Sequence, residues 1–118
     1  MMIIERNNEI LSILTLIFEE EGYLVSPHTS EMNALEKVLS ERPDVLLIDI
    51  LESSEESTGL CCEIRSVEEI KEIPIIALST RVKPDRIHAI CADKLIGKPF
   101  DLYDLIDAVE NELPPESE

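Results

Sequence analysis

Short apolar runs alternate along this chain with segments in which apolar residues recur every three or four positions. Runs bounded by turn residues are typical of buried strands, whereas a spacing of three or four is typical of helices with one apolar face. Their regular alternation predicts repeated strand–helix units, and therefore an α/β domain with a parallel sheet. The runs predicted to be strands are residues 1–4, 23–25, 45–50, 75–79 and 94–97.

The segments between these runs predict five helices, several of which have recognisable ends. Asn7 or Asn8 can cap the first helix, and Gly22 can end it. Pro43 ends the second helix, because the residue before a proline avoids the helical region. The polar residues 52–59 are expected to form a mobile loop before the third helix. The remaining predicted starts are Thr29 or Ser30 for the second helix, Pro84 for the fourth and Asp101 for the fifth.

A polar residue stands at the downstream end of four of these runs. The four residues are Glu5, Asp49, Ser79 and Lys98. Because the carboxyl ends of parallel strands meet at one edge of a sheet, where α/β proteins bind ligands, we expect the four side chains to share one crevice. This set suits a phosphoryl group and a magnesium ion, since the cations offset negative charge and the hydroxyl can donate to a phosphoryl oxygen.

Most of these residues also have a simpler interpretation. A Glu or Lys at the end of a strand, such as Glu5 or Lys98, is usually a solvated surface residue, and Ser79 also suits the start of a loop. Asp49 differs because it closes the most apolar run, where a buried carboxylate is costly without a partner or a function. Asp49 is therefore the strongest single indication of a functional site.

Length and charge limit the classes of function. The 118 residues, 44% apolar and 31% charged, fit one globular domain rather than a disordered chain. A formal charge of −16 disfavours direct binding to nucleic acid or to an anionic membrane, and it favours basic partners. The apolar runs are too short to span a bilayer and the chain begins without a secretory signal, so a cytoplasmic location is expected.

The cysteines do not suggest a disulfide framework. Cys61, Cys62 and Cys91 make an odd count, and two of them are adjacent. Neither Cys-x-x-Cys nor a zinc-ligand spacing with His28 or His88 occurs. The three thiols are therefore expected to be small, buried apolar side chains.

In their order and spacing, these residues resemble the receiver domains of two-component response regulators, in the manner of the single-domain chemotaxis regulators. The residues that carry the resemblance are Glu5, Asp49 within residues 44–51, Ser79 within residues 75–80, and Lys98-Pro99-Phe100. It covers nearly the whole chain, so residues 1–113 are expected to form the receiver domain and residues 114–118 a flexible tail. It implies a flavodoxin-like, doubly wound sheet of five parallel strands in the order 2-1-3-4-5, with helices on both faces.

The resemblance implies a role for each residue of the site. Asp49 would be the nucleophile that accepts a phosphoryl group from a histidine kinase or a phosphotransfer protein. Glu5, Asp49 and the main-chain carbonyl of Leu51 would hold magnesium, which neutralises the transferring group. Ser79 and Lys98 would contact the phosphoryl oxygens, and the bond from Lys98 to its proline would be cis. The domain would not be an enzyme beyond catalysing its own phosphorylation and dephosphorylation.

Several features depart from the family's pattern. Arg6 stands where the family has its most direct acidic metal ligand, so a guanidinium can pair with Asp49, imitate the charge of the ion and weaken magnesium binding. Leu95 replaces the aromatic residue of the family's switch position. The loop after Asp49 also lacks the family's usual proline, and Gly59 stands further along the chain than the family's glycine. The segment between residues 90 and 98 is shorter than in the family.

Three classes of function remain open on the sequence alone. The first is a receiver that is phosphorylated on Asp49 and switches a protein-interaction surface, and the second is a pseudo-receiver that binds its partner without phosphorylation. The third, an enzyme or flavin carrier on a similar sheet, is disfavoured because the chain has only three glycines and no Gly-x-Gly-x-x-Gly or phosphate-loop motif. We favour the first.

The resemblance also implies the partners of such a domain. They are a kinase or phosphotransfer protein upstream and a protein target or effector domain downstream, with the chain itself a monomer or weak homodimer. The partner surface would be the face formed by the fourth helix, the fifth strand and the fifth helix, where Lys94 and Tyr103 lie.

Overall fold

Five parallel strands form one sheet in the order β2-β1-β3-β4-β5. The computed structural model describes residues 1–30, 32–50, 55–79 and 91–113. The strands are β1 (Met2–Ile4), β2 (Ser26–His28), β3 (Leu46–Asp49), β4 (Ile75–Ser79) and β5 (Lys94–Gly97). The helices within the described ranges are α1 (Asn8–Glu20), α2 (Ala34–Glu41), α3 (Glu55–Ser66) and α4 (Leu102–Glu112).

Helices cover both faces of the sheet, because successive residues of a buried strand point to opposite sides. In β3, Leu46 and Ile48 join one apolar cluster, whereas Leu47 joins the other. Residues of α2 and α3 pack in the first cluster, and residues of α1 and α4 pack in the second. The predicted flavodoxin-like α/β fold, with strand order 2-1-3-4-5, is confirmed.

The helices on either side of the site begin where the sequence predicts. The side chain of Asn7 caps α1 by accepting the N–H groups of Glu9 at 2.9 Å and Ile10 at 3.1 Å. Asp101 caps α4 in the same way, with the N–H groups of the first turn. After α1 ends, Gly22 has a φ of +97°, a left-handed conformation that glycine adopts without steric strain.

The predicted position of the second strand is wrong. β2 begins at Ser26, whereas the sequence pattern indicated residues 23–25. Main-chain pairing with β1 determines the position: the N–H of Ser26 donates to the carbonyl of Met1, and the N–H of Glu5 donates to the carbonyl of His28, both at 2.9 Å. Apolar residues of the predicted segment pack on the second cluster instead.

The second helix also begins later than predicted. It starts at Ala34 and not near Thr29 or Ser30. The hydroxyl of Ser30 accepts the N–H of Met32 at 3.0 Å, so it stabilises a local turn rather than the first turn of the helix.

The third helix begins earlier than predicted. It starts at Glu55 and contains Gly59, so the predicted loop of residues 52–59 is wrong from Glu55 onward. Glutamate is a strong helix former, so an acidic segment can begin a helix instead of forming a loop.

The prediction for the cysteines is right for one of the three thiols. Cys61 is buried, as expected. Cys62 and Cys91, however, form a disulfide that joins α3 to the residues just before β5, with their Cα atoms 5.2 Å apart. The prediction that the thiols form no disulfide is therefore wrong for this pair, because the odd count and local spacing of the cysteines carry no information on two residues that the fold brings together across 29 positions of sequence.

Three predictions fall outside the described ranges. They concern the helix that starts at Pro84, the main-chain carbonyl of Leu51 and the tail of residues 114–118. Within those ranges, no helix is long and apolar enough to cross a membrane.

Candidate functional site

The four residues singled out by the sequence lie at the carboxyl edge of the sheet. Glu5 follows β1, Asp49 ends β3, Ser79 ends β4 and Lys98 follows β5. Glu5, Asp49 and Ser79 are buried, with 1%, 6% and 2% of their surface exposed. Buried carboxylates are costly unless cations or hydrogen-bond donors compensate them, so their partners define the site.

Lys98 joins the two carboxylates. Its Nζ donates to Oε1 of Glu5 at 2.7 Å and to Oδ1 of Asp49 at 2.9 Å. The main-chain N–H of Lys98 donates to the carbonyl of Ser79 at 2.8 Å, so the end of β4 positions the lysine. The bond between Lys98 and Pro99 is cis, as the family resemblance implies. The structure thus brings all four residues to one place.

The surroundings of Lys98 raise its pKa above the usual 10.5. Burial makes the largest contribution and lowers the pKa, because it disfavours the charged form. The hydrogen bonds and negative charges of Glu5 and Asp49 together outweigh burial. Lys98 is therefore a permanent positive charge of the site at neutral pH.

Arg6 contacts Asp49 from the other side. Its Nη1 lies 3.3 Å from Oδ2 and 3.2 Å from the main-chain oxygen of Asp49. Each carboxylate oxygen of Asp49 therefore faces a different cation, Lys98 at Oδ1 and Arg6 at Oδ2. The Arg6 side chain is 30% exposed, so it reaches from the buried aspartate to the surface. The sequence left open whether Arg6 points to solvent or meets Asp49, and the structure shows that it meets Asp49.

Asn7 adds a donor that the sequence analysis missed. Its main-chain N–H donates to Oε2 of Glu5 at 3.2 Å while its side chain caps α1. Both oxygens of Glu5 therefore accept a hydrogen bond, one from Lys98 and one from Asn7. The positive end of the α1 dipole also favours a carboxylate at this position. The sequence signal that could have identified this donor is a helix-capping asparagine close after an acidic residue at the end of a strand.

The described residues do not match a strong magnesium site. Mg²⁺ requires oxygen ligands in near-octahedral geometry, and the oxygens of Glu5 and Asp49 are already engaged by Lys98, Arg6 and Asn7. No group of three or more His, Cys, Asp or Glu able to hold a metal occurs among the residues that the structure describes. A guanidinium beside Asp49 also opposes the approach of a second cation.

Leu95 lies within β5, paired in register with Ala77 of β4. Its partly buried side chain packs against the apolar cluster that α2 and α3 cover. The residue that the resemblance assigns to the switch position is therefore an aliphatic side chain that packs against the core.

A groove lies at the opposite edge of the sheet. It has a volume of about 1230 Å³, and Met1, Asp44 and Pro74, the residues just before β1, β3 and β4, are part of its lining. Because the strands run parallel, this groove is a full strand length from Asp49. It belongs to no part of the site described above.

Residues 1–110 match the sequence pattern described as the response regulator receiver domain. The chain belongs to the response regulator receiver family. Receiver domains are signalling domains that act between kinases or phosphotransfer proteins and effectors. The residues at the carboxyl edge of the sheet are therefore the candidate functional site of this receiver domain.

One curated relative is the transcriptional regulatory protein CseB of Streptomyces coelicolor. It is 28% identical to this receiver domain over 105 residues, which cover 85% of the chain and 43% of the relative. The chain thus spans less than half the length of the curated relatives it matches.

Solved structures give the same fold. A response regulator from Chloroflexus aurantiacus superposes with a TM-score of 0.83 at 25% identity, covering 94% of this chain and 93% of that one. The receiver domain of a Pseudomonas aeruginosa sensor histidine kinase superposes with a TM-score of 0.81 at 22% identity, covering 93% of each chain. That structure holds a magnesium ion in its active-site cleft.

Proposed function

We propose that this receiver domain accepts a phosphoryl group on Asp49 from a histidine kinase or phosphotransfer protein, and that the modification switches a protein-interaction surface. The observation that supports this most is the environment of Asp49, a buried carboxylate at the end of β3 whose two oxygens each face a cation. A carboxylate in this position can attack phosphorus, and fixed cations can stabilise the transferring group.

The proposed roles of the neighbouring residues follow from their positions. The ammonium of Lys98 and the hydroxyl of Ser79 would bind oxygens of the phosphoryl group, because both residues stand at the same edge as Asp49. Leu95 would occupy the switch position without the aromatic ring of the family. The domain would catalyse its own phosphorylation and dephosphorylation at most.

We propose that magnesium binds this domain only weakly. Glu5, Asp49 and the carbonyl of Leu51 would be its ligands by family resemblance. Arg6 works against such binding because its guanidinium already contacts Asp49. Replacing Arg6 by an acidic residue should therefore strengthen magnesium binding.

The proposed partner surface includes β5 and α4. Tyr103 of α4 is 79% exposed, and Lys94 at the start of β5 is exposed as well. An exposed aromatic residue and an exposed cation offer apolar and polar contacts to a protein. We propose a cytoplasmic signalling role with residues 1–113 as the functional domain, acting as a monomer or weak homodimer.

A pseudo-receiver is the second candidate, and the contact between Arg6 and Asp49 favours it. If this ion pair persists while a phosphodonor approaches, it blocks the nucleophile. The domain would then bind its partner without phosphorylation through the same surface.

Intact-mass measurement separates the two candidates. The wild-type protein and Asp49→Asn are incubated with a cognate kinase or a small acyl phosphate at saturating magnesium. A phosphoryl adduct in the wild type alone supports the phosphoacceptor role. No adduct in either protein favours the pseudo-receiver, and an adduct in both places the modification at another residue.

A further inference from the structure

We infer that Arg6 supplies the second positive charge of the phosphorylation site in place of a metal ion, so that phosphorylation of Asp49 does not require magnesium. The inference rests on the proposed function, since it presupposes that Asp49 is the acceptor.

The charges of the described residues around Asp49 support this inference. Two carboxylates, Glu5 and Asp49, face two cations, Lys98 and Arg6, through contacts of 2.7 to 3.3 Å. Among the residues that the structure describes, the positive and negative charges of this cluster are therefore equal in number. With a carboxylate in place of Arg6, three acidic groups would face one ammonium, and the excess negative charge would call for a divalent cation.

The position of the Arg6 guanidinium also supports a role in phosphoryl transfer. Arg6 and Lys98 contact different oxygens of Asp49, so each oxygen of the nucleophile has its own cation. Arg6 also contacts the main-chain oxygen of Asp49, which fixes it beside β3. The guanidinium carries five N–H donors in a planar fork, and this geometry matches phosphoryl oxygens. Its partial exposure places it where a donor would approach.

The chemical step balances without a metal. One carboxylate oxygen of Asp49 forms a bond to phosphorus, while the bond from phosphorus to an imidazole nitrogen of the kinase, or to an acyl oxygen of a small donor, breaks. The leaving atom keeps the electron pair of the broken bond. Arg6 and Lys98 offset the negative charge of the phosphoryl oxygens throughout the transfer.

The test uses acetyl phosphate as donor, with either EDTA or excess magnesium, and the mass of the intact protein as readout. We expect the wild type to form the same adduct in both conditions. Arg6→Gln should form roughly a hundredfold less adduct in EDTA, the usual effect of removing one charge-stabilising donor. Arg6→Asp should form the adduct only with magnesium. Arg42→Asp is the matched control, because it changes the net charge by the same amount as Arg6→Asp but lies at the C-terminal end of α2. It should behave as the wild type.

The possible failures are distinguishable. An adduct that forms in the wild type only with magnesium overturns the role of Arg6 and leaves Asp49 as the acceptor. No adduct in the wild type under any condition overturns both proposals.

A second readout does not depend on phosphorylation. Because a ligand that binds only the folded state raises the unfolding temperature, magnesium should raise it much more for Arg6→Asp than for the wild type, which binds magnesium only weakly. An equal rise in both proteins would contradict the inference.

Discussion

At the scale of single residues, the site depends on Lys98. This side chain is 13% exposed and is the only group found bridging Glu5 and Asp49 among the described residues. Without Lys98, the two buried carboxylates would lose the cation that they share. Residue identity at the strand ends was enough to predict that Lys98 and Asp49 would meet, because parallel strands end at a common edge.

Lys98→Met should therefore destabilise the domain strongly. We expect the free energy of unfolding at neutral pH to fall by about 3 kcal/mol, the lower range for removing one partner of a buried ion pair. Urea denaturation measures this change. Lys94→Met, at an exposed position of β5, is the matched control and should change stability little. Equal effects of the two substitutions would show that the bridge of Lys98 contributes nothing.

The raised pKa of Lys98 predicts a decline of stability at high pH. The folded protein binds this proton more tightly than the unfolded chain, so the stabilisation is complete below pH 10.5 and is lost as the pH rises through the raised pKa of the folded state. Denaturation in urea at increasing pH should show a decline for the wild type that is smaller in Lys98→Met. Parallel declines in the two proteins would assign the effect to other groups.

At the scale of secondary-structure elements, the sequence predicted positions best where a local feature, such as a short apolar run or a capping residue, marked the element. β4 and β5 lie where the sequence indicated, and Asn7 and Asp101 cap their helices as predicted. The edge strand β2 was misplaced because main-chain pairing with β1, and not apolar pattern, determines its position. The sequence could not decide the contact of Arg6 with Asp49, since a long side chain can point to solvent or inward.

The disulfide between Cys62 and Cys91 links α3 to the start of β5, beside an ion pair of Arg65 with Asp93. Under oxidising conditions we expect Cys62→Ser to lower the free energy of unfolding by about 2–4 kcal/mol, because the bond restricts the unfolded chain. In excess dithiothreitol, which reproduces a reducing cytoplasm, the two proteins should differ much less. A difference of the same size in both conditions would trace the effect to packing of the side chain.

At the scale of the whole molecule, the chain is strongly acidic. Its formal charge of −16 favours basic partners and makes their association sensitive to salt. The family identifies the class of partner, but the sequence carries no signal that identifies an individual one, because recognition depends on the shape and chemistry of a second protein.

The proposed surface on β5 and α4 gives a test at this scale. Tyr103→Ala should weaken binding of the downstream partner roughly tenfold, since exposed aromatic residues often dominate interfaces. The unfolding midpoint should stay the same because the ring is exposed. Titration calorimetry with the partner measures the loss. Leu24→Ala, an exposed apolar residue beyond α1, is the control, and an equal loss there would point to another surface.

The most direct test of the central claim is to locate the phosphoryl group after treatment with donor. An acyl phosphate on aspartate is reduced by borohydride to homoserine, so the modified residue can be read from peptide sequencing by mass spectrometry. We predict homoserine at position 49 in the wild type, and none in protein that was not exposed to donor. Homoserine at any other position, or an unmodified Asp49 in a sample whose intact mass shows the adduct, would contradict the claim that Asp49 is the phosphoacceptor.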